Sequence, residues 1–327
     1  MKAARIASPG KFEFVDIPEP EISDGKVKVR VQSTSVCGSD IHGAFHANRP
    51  EEEYPMHPGA PCHEVAGTVI ESMTDEIKEG QRAIVVPQRD SVGNYIGGLT
   101  EYLVLTPDRV IPVPDWGSLD EWVMCQHSGT VLYASKKWGD VSNKSVAVLG
   151  QGGIGMSFSM IAAMQGANKI IGIDINQSRL DISSNLGVTH SVNPDTSNLI
   201  ESISDITNGE MADIVIEATG RPEGLNSCIE IVKKEGTVIC FGLTSEDLIP
   251  FSQNNFLSKN CTIISTLIAG TSTPLKEIKE MIELKKNGLL DPGKLKTHNM
   301  SWLNAQEAFD MYTSHSEGLV KIALEVN

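Results

Sequence analysis

The chain has 327 residues, 40% of them hydrophobic, enough for two domains with real cores at a prior of about 150 residues each. Its 27 basic and 42 acidic side chains leave a net charge of −15 with no long block of like charge, a solvated acidic surface that argues against nucleic acid or an anionic membrane as partner. No apolar run reaches the roughly 18 residues of a membrane span, the start Met1-Lys-Ala-Ala-Arg-Ile-Ala lacks the apolar stretch of a secretory signal, and the six cysteines show no paired spacing, which fits a reducing cytoplasm.

Residues 1–115 are rich in short β-like runs punctuated by Pro and Gly. Residues 26–32 alternate Val27, Val29 and Val31 with Lys28 and Arg30, the period of a half-buried strand, and 65–70, 82–86 and 100–105 read as further strands of a small, mostly antiparallel β domain. Two polar stretches interrupt it: Cys37-Gly-Ser-Asp-Ile-His42, and Pro58-Gly-Ala-Pro-Cys-His-Glu64. Cys and His are preferred zinc ligands, and a catalytic zinc takes three protein ligands and keeps a fourth position open. Singly, a buried Cys37 or a hydrogen-bonded core His63 is the ordinary reading. Together, beside Ser39, His42 and Glu64, they read as a metal site.

From about residue 143 the texture changes to alternating strands (145–149, 169–173, 190–192, 212–217, 237–241, 262–267) and helices (177–186, 199–207, 222–233), the pattern of a doubly wound, six-stranded parallel sheet. Its first turn, Gly150-Gln-Gly-Gly-Ile-Gly155, follows an apolar run and opens a helix-like stretch. In such a turn the first glycine (Gly150) bends the strand, the second (Gly152) lets backbone approach a pyrophosphate, and the third (Gly155) lets helix pack on strand. The pyrophosphate then rests on the free N–H groups at the start of the helix, around Gly153 and Ile154. Asp174 closes the next apolar run, near the spacing of about 20 residues expected for the acid that holds a ribose 2′-OH. Beyond Pro274, helices over 275–287 and 304–314 and a strand over 318–326 follow a finished dinucleotide unit, so the tail is expected to rejoin the first domain.

With these motifs in order, the chain resembles the zinc-dependent medium-chain dehydrogenases, the alcohol, polyol and threonine dehydrogenase group. The resemblance spans essentially the whole length. It rests on the stretches above, on Gly67 behind His63-Glu64, on Gly97-Gly-Leu-Thr-Glu-Tyr102, and on Asp213-Ile-Val-Ile-Glu-Ala-Thr-Gly220. It implies an α/β protein with a GroES-like, mostly antiparallel catalytic domain (1–118 and 275–327) and a Rossmann domain that binds NAD (119–274). Cys37 and His63 would be zinc ligands and Glu64 a nearby carboxylate able to bind the metal or replace its water. Ser39 would take the proton of the alcohol and His42 pass it towards solvent through the cofactor ribose, while Asp40 would orient His63. Asp174 would select NAD over NADP, Arg179 would contact the adenine ribose, and Lys321 is a candidate phosphate contact.

Two departures from the family pattern stand out. The third zinc ligand of the family is a Cys or Glu before the helix leading into the cofactor domain. Here that region is Met124-Cys-Gln-His-Ser-Gly-Thr, and register places the neutral Gln126 on the position, with His127 and Cys125 as alternatives and pocket shaping by Gln126 as another. Cys62 also stands where a glycine usually precedes the histidine, and it reads either as packing or as a second thiol beside the metal. The lobe that carries four cysteines for a structural zinc in many relatives is replaced by residues 86–97, which contain no cysteine, so at most one zinc per chain is expected.

The implied activity is hydride exchange between an alcohol and NAD, with zinc raising the acidity of the hydroxyl and Ser39 and His42 carrying the proton. The expected partners are a small alcohol or carbonyl substrate and a second copy or copies of the chain in a homodimer or homotetramer. Loops at 43–54, 88–95 and 267–273, with His46, Asn48, Arg49 and Gln88, look too polar for long aliphatic alcohols and lean towards a polyol, sugar derivative or hydroxy acid. The alternatives are a zinc-free reductase of an activated double bond or quinone, and a non-catalytic NAD-binding protein. The Cys37/His63 pair weighs against the first and the retained Ser39 and His42 against the second.

Overall fold

The computed structural model describes residues 1–46, 50–87, 96–244, 246, 248–267, 273 and 275–326. Two units divide it, Met1–Gln126 with Asp291–Asn327, and His127–Leu290.

The first unit begins with a hairpin, β1 (Lys2–Ser8) and β2 (Lys11–Asp16), and continues through β3 (Val27–Ser35), β4 (Glu64–Ser72), β5 (Arg82–Val85), β6 (Tyr102–Leu105) and β7 (Val110–Pro112). Strand β3 buries Val27, Val29 and Val31 as its alternation predicts, but it runs on to Ser35. The apolar period stops at Val31, while Ser33, Thr34 and Ser35 are buried too, and Thr34 Oγ1 donates to the Glu64 carbonyl at 2.9 Å. Lys28, expected on a wet face, is 8% exposed, with its ammonium on Glu19 and over the Tyr102 ring. The half-buried reading is therefore corrected: β3 is central, paired with β4 on one side and β6 on the other.

The second unit carries β8 (Ser145–Leu149), β9 (Lys169–Ile173), β10 (His190–Val192), β11 (Ala212–Glu217), β12 (Val232–Cys240) and β13 (Thr262–Ser265). They form one all-parallel sheet in the order β10-β9-β8-β11-β12-β13. Every residue of β8 is buried, as a parallel strand covered on both faces requires. The strand order reverses between β8 and β11, the switch point at which such sheets bind nucleotides.

The chain then returns to the first unit with β14 (Lys296–Ser301) and β15 (Lys321–Glu325), giving a seven-stranded sheet in the order β14-β15-β3-β4-β5-β7, with β6 beside β3. A core of Phe12, Phe14, Phe45, Trp302 and Phe309 packs on it, with Phe12 5.3 Å from Phe45 and 4.8 Å from Phe309 between ring centroids.

The break points differ from those expected at 118/119 and 274/275; they lie at 126/127 and 290/291. Helix Lys276–Lys286 stays with the second unit because it packs on helix Met124–Ser135: a Cβ on Gly129 would lie 2.6 Å from the Ile278 Cα, and the Lys136 ammonium lies 3.1 Å from Glu277 and 2.5 Å from Glu280. Among the described residues, no helix is long and apolar enough to cross a membrane.

Candidate metal and nucleotide sites

In the first unit, Cys37 follows the end of β3 and starts a helical turn, Gly38–Asp40, that runs into a π-helical turn, Ile41–Phe45. Ile41, Ala44 and Phe45 are buried and anchor this turn, which leaves His42 exposed. Asp40 closes the turn by accepting the Cys37 N–H on Oδ2 at 3.0 Å. Its Oδ1 accepts the Cys62 N–H at 3.1 Å and faces His63 Nδ1 at 3.1 Å. One 4%-exposed carboxylate thus ties together the two segments that carry Cys37 and His63. With Nδ1–H committed to Asp40, Nε2 is the nitrogen left for a metal. Burial would lower the His63 imidazole, but the Asp40 carboxylate and the Cys37 sulfur outweigh it and hold it well above its ordinary value, so a metal there competes with a proton. The Ser39 hydroxyl lies 3.3 Å from Cys37 Sγ.

One ligand atom from each of Cys37, His63 and Glu64 falls within 4.8 Å of the others, and neither Cys62 nor Cys125 belongs to this group. Cys62 sits at φ +68°, the left-handed region that glycine occupies without cost. Its fully buried thiol is pushed up by desolvation first and by Asp40 next. Gln126 lies in the first turn of helix Met124–Ser135, 5% exposed, and its Oε1 has no hydrogen-bond partner among the described residues. An orphaned buried carbonyl costs about 1–3 kcal/mol and is a ready neutral donor to a cation. Thiolate, imidazole, carboxylate and this carbonyl fit a zinc ion by type. His127 instead lies in the second unit, its Nε2 3.3 Å from Ser128 Oγ and 3.4 Å from Ser157 Oγ.

The strand-end lysine is a correction. Lys321, expected as a phosphate contact, is 2% exposed and donates to Glu64 Oε2 at 2.6 Å and to the Val36 carbonyl at 2.7 Å. The Ser35 hydroxyl also bonds Glu64 Oε2. Burial would lower the Lys321 ammonium, but the facing charges of Glu64 and Cys37 hold it above its usual range. The sequence did carry a signal: a lone lysine inside the buried apolar run of Leu319, Val320, Ile322, Ala323 and Leu324 needs an acid partner.

In the second unit, Gly150 turns at φ +95°, where a Cβ would meet the Ala218 carbonyl at 3.0 Å. A Cβ on Gly155 would lie 1.7 Å from the Gly150 carbonyl, so helix Gly153–Met164 packs hard against the turn, whereas Gly152 faces open space. Asp174, 9% exposed, accepts the Gln151 N–H on Oδ2 at 2.6 Å and the Asn176 N–H on Oδ1 at 2.8 Å. It therefore joins the glycine turn to the end of β9. Arg179 lies half-buried in the first turn of helix Gln177–Ser184. Of the pocket residues expected from sequence, His46 is exposed, and Asn48, Arg49 and Gln88 lie outside the described residues.

A GroES-like sheet bearing a thiol–imidazole–carboxylate cluster, carried with a parallel sheet built on a glycine turn, defines an oxidoreductase of the alcohol dehydrogenase type. Residues 23–115 match the alcohol dehydrogenase GroES-like domain family, and residues 153–287 match the zinc-binding dehydrogenase family. The chain is 27% identical to an alcohol dehydrogenase of Cupriavidus necator, covering 99% of this chain and 98% of that one. It is 25% identical to the sorbitol dehydrogenase of Bacillus subtilis, covering 100% and 98%. The crystal structure of 2R,3R-butanediol dehydrogenase from Bacillus subtilis superposes with a TM-score of 0.86 at 23% identity, over 100% and 99% of the two chains. The chain belongs to the zinc-type medium-chain dehydrogenases.

Proposed function

We propose that the chain is a zinc-dependent, NAD(H)-linked dehydrogenase that interconverts a polar alcohol, such as a polyol or sugar derivative, with its carbonyl. The observation that carries the reading is the clustering of Cys37, His63 and Glu64 ligand atoms within 4.8 Å, with Asp40 behind His63. Cys37, His63 and Gln126 hold the metal, with Glu64 alongside as the carboxylate that can enter the shell. When bound, zinc supplies Lewis acidity that makes an alcohol hydroxyl far more acidic, as it brings bound water to a pKa of roughly 7.

The protein's own groups do the rest. Asp40 fixes the tautomer and direction of His63. Ser39 Oγ, beside Cys37, takes the hydroxyl proton, and the exposed His42 hands it to solvent. The N–H groups at the start of helix Gly153–Met164 hold the pyrophosphate. Asp174 accepts from the ribose hydroxyls of NAD, and Arg179 packs on the same ribose. NAD, held there, would supply the hydride chemistry, and these residues would bind and orient it.

The polar character of residues 43–54 and the names of the sorbitol and butanediol relatives support a substrate with neighbouring hydroxyls. One zinc per chain, a homodimer or homotetramer, and a cytoplasmic setting complete the reading. Metal analysis with an NAD-coupled alcohol screen tests it. About one zinc per chain and NAD-dependent oxidation of polyols are expected, and both should vanish in Cys37→Ala. An active, metal-free Cys37→Ala variant, or a zinc-free chain that reduces activated double bonds, overturns it.

A further inference from the structure

We propose that Glu217 is a positioning residue for the nicotinamide half of the cofactor, acting through the backbone of Thr219 and Gly220. The inference rests on the NAD reading above.

The sheet order splits the nucleotide unit at the β8/β11 switch point, with β9 and β10 on one side and β12 and β13 on the other. An open parallel sheet binds each half of a dinucleotide at the carboxyl ends of one set of strands. Asp174 ends the β9 side and so belongs to the adenosine half. The ends of β11 and β12 border the other half.

Glu217 is the last residue of β11 and is 3% exposed. Its Oε1 accepts three hydrogen bonds, from Thr219 N at 2.8 Å, Thr219 Oγ1 at 2.5 Å and Gly220 N at 3.1 Å. Its backbone carbonyl accepts the Phe241 and Gly242 N–H groups at 3.1 and 3.0 Å, at the end of β12. The side chain therefore holds the loop after β11, while the backbone carbonyl of the same residue holds the loop after β12.

Packing around it leaves no slack. A Cβ on Gly242 would lie 2.2 Å from Glu217 Oε2, and one on Gly224 would lie 2.6 Å from Oε1. Gly220, at φ +67°, approaches the Leu243 carbonyl so closely that a Cβ would lie 2.4 Å from it. The same loop leans on the glycine turn, since Ala218 N donates to the Leu149 carbonyl at 2.9 Å. The thiols of Cys228, on helix Gly224–Ile231, and of Cys240, at the end of β12, are pushed up by burial and, next, by the Glu217 charge, which lies near both.

A buried carboxylate with three donors on one oxygen is a rigid, charge-assisted clamp. What it clamps is backbone that borders the crevice, on the side away from Asp174. Loss of the clamp loosens that side alone.

The test is binding of NAD and of AMP, which fills only the adenosine half, to wild type, Glu217→Ala and Glu217→Gln. Glu217→Ala is expected to weaken NAD about tenfold or more and to leave AMP within about twofold, the size of one or two lost charged hydrogen bonds. Glu217→Gln keeps an acceptor oxygen but loses the charge, and is expected to recover only part of that loss, leaving NAD about threefold weaker than in wild type with AMP unchanged. Should Glu217→Ala not fold, an unchanged NAD-to-AMP ratio in Glu217→Gln overturns the inference. Parallel loss of NAD and AMP, or no loss of either, also overturns it. A wild-type chain that binds AMP but not NAD overturns the cofactor reading, and this inference with it.

Discussion

Lys321 and Glu64, far apart in sequence, meet as a buried ion pair with Nζ 2.6 Å from Oε2, and both residues are at most 2% exposed. Two charges withdrawn from water hold together because each neutralises the other, with the Ser35 hydroxyl adding a hydrogen bond to Glu64 Oε2 and Lys321 Nζ a second one to the Val36 carbonyl. The pair pins β15 to the start of β4 at the point where Cys37 and His63 converge.

Removing one partner strands the other. Lys321→Met is expected to destabilise the first unit by about 3–5 kcal/mol, because Glu64 is left charged and buried. Urea unfolding checks this. The double variant Lys321→Met with Glu64→Gln should recover most of the loss, and a double variant as unstable as the single would show that the pair is not the cause.

Gln126 should trade stability against metal. Replacing its orphaned carbonyl, as in Gln126→Leu, is expected to raise the stability of the metal-free chain by about 1–3 kcal/mol while weakening zinc. Gln126→Glu, which restores a carboxylate, should tighten zinc about tenfold or more, since an anionic oxygen binds the ion better than an amide. Chelator competition and thermal melting measure the two effects separately. Zinc affinity indifferent to both changes would remove Gln126 from the shell.

In the proposed function Asp174 has a double task, because both carboxylate oxygens already hold backbone N–H groups, from Gln151 of the glycine turn and from Asn176. Asp174→Ala should therefore weaken NADP somewhat as the turn loosens. It should weaken NAD more, by about a further tenfold for the lost ribose contact. The quantity to measure is the ratio of the two dissociation constants. An unchanged ratio would leave Asp174 as a turn clamp only.

Acid stability should depend on Asp120. Burial would raise its carboxyl, but the Lys296 ammonium and Ser118 outweigh it and hold it below the ordinary carboxylate value. The unfolded chain then binds the proton more readily, so the contribution is complete above the unfolded value, near pH 4, and is lost as pH falls through the lower folded value. Asp120→Asn is expected to cost about 1–2 kcal/mol at pH 7 and to flatten the loss of stability below about pH 4. Melting curves across pH 2.5–7 in both proteins check the difference. Parallel curves would show the pair to be idle.

Much of the second unit was legible because parallel strands covered on both faces are plain apolar runs. Ser145–Leu149, Lys169–Ile173 and Ala212–Glu217 have the bounds that their composition predicts. The glycine turn was legible because only glycine tolerates φ +95° at Gly150 and the closeness of Gly155 to the turn. Other features were not legible. The end of β3 is polar yet buried, so its period misled, and the break between units lies elsewhere because Gly129 lets helix Lys276–Lys286 pack against helix Met124–Ser135. The inward turn of Lys321 was legible only in part: the apolar run around it calls for an acid partner, but which acid it meets depends on what lies across the sheet.

The amino-acid sequence by itself determined which donor atoms exist and where the backbone must bend: a thiol, an imidazole, a carboxylate and a glycine turn at fixed positions. Tertiary structure alone decided which of these face one another. Asp40 reaches His63 because Cys37 and Cys62 both donate backbone N–H groups to it, and Lys321 reaches Glu64 because β15 and β4 flank the same strand. Side-chain type is a property of one residue. Charge pairing and desolvation are properties of two segments brought together by sheet register, and no local pattern encodes that distance.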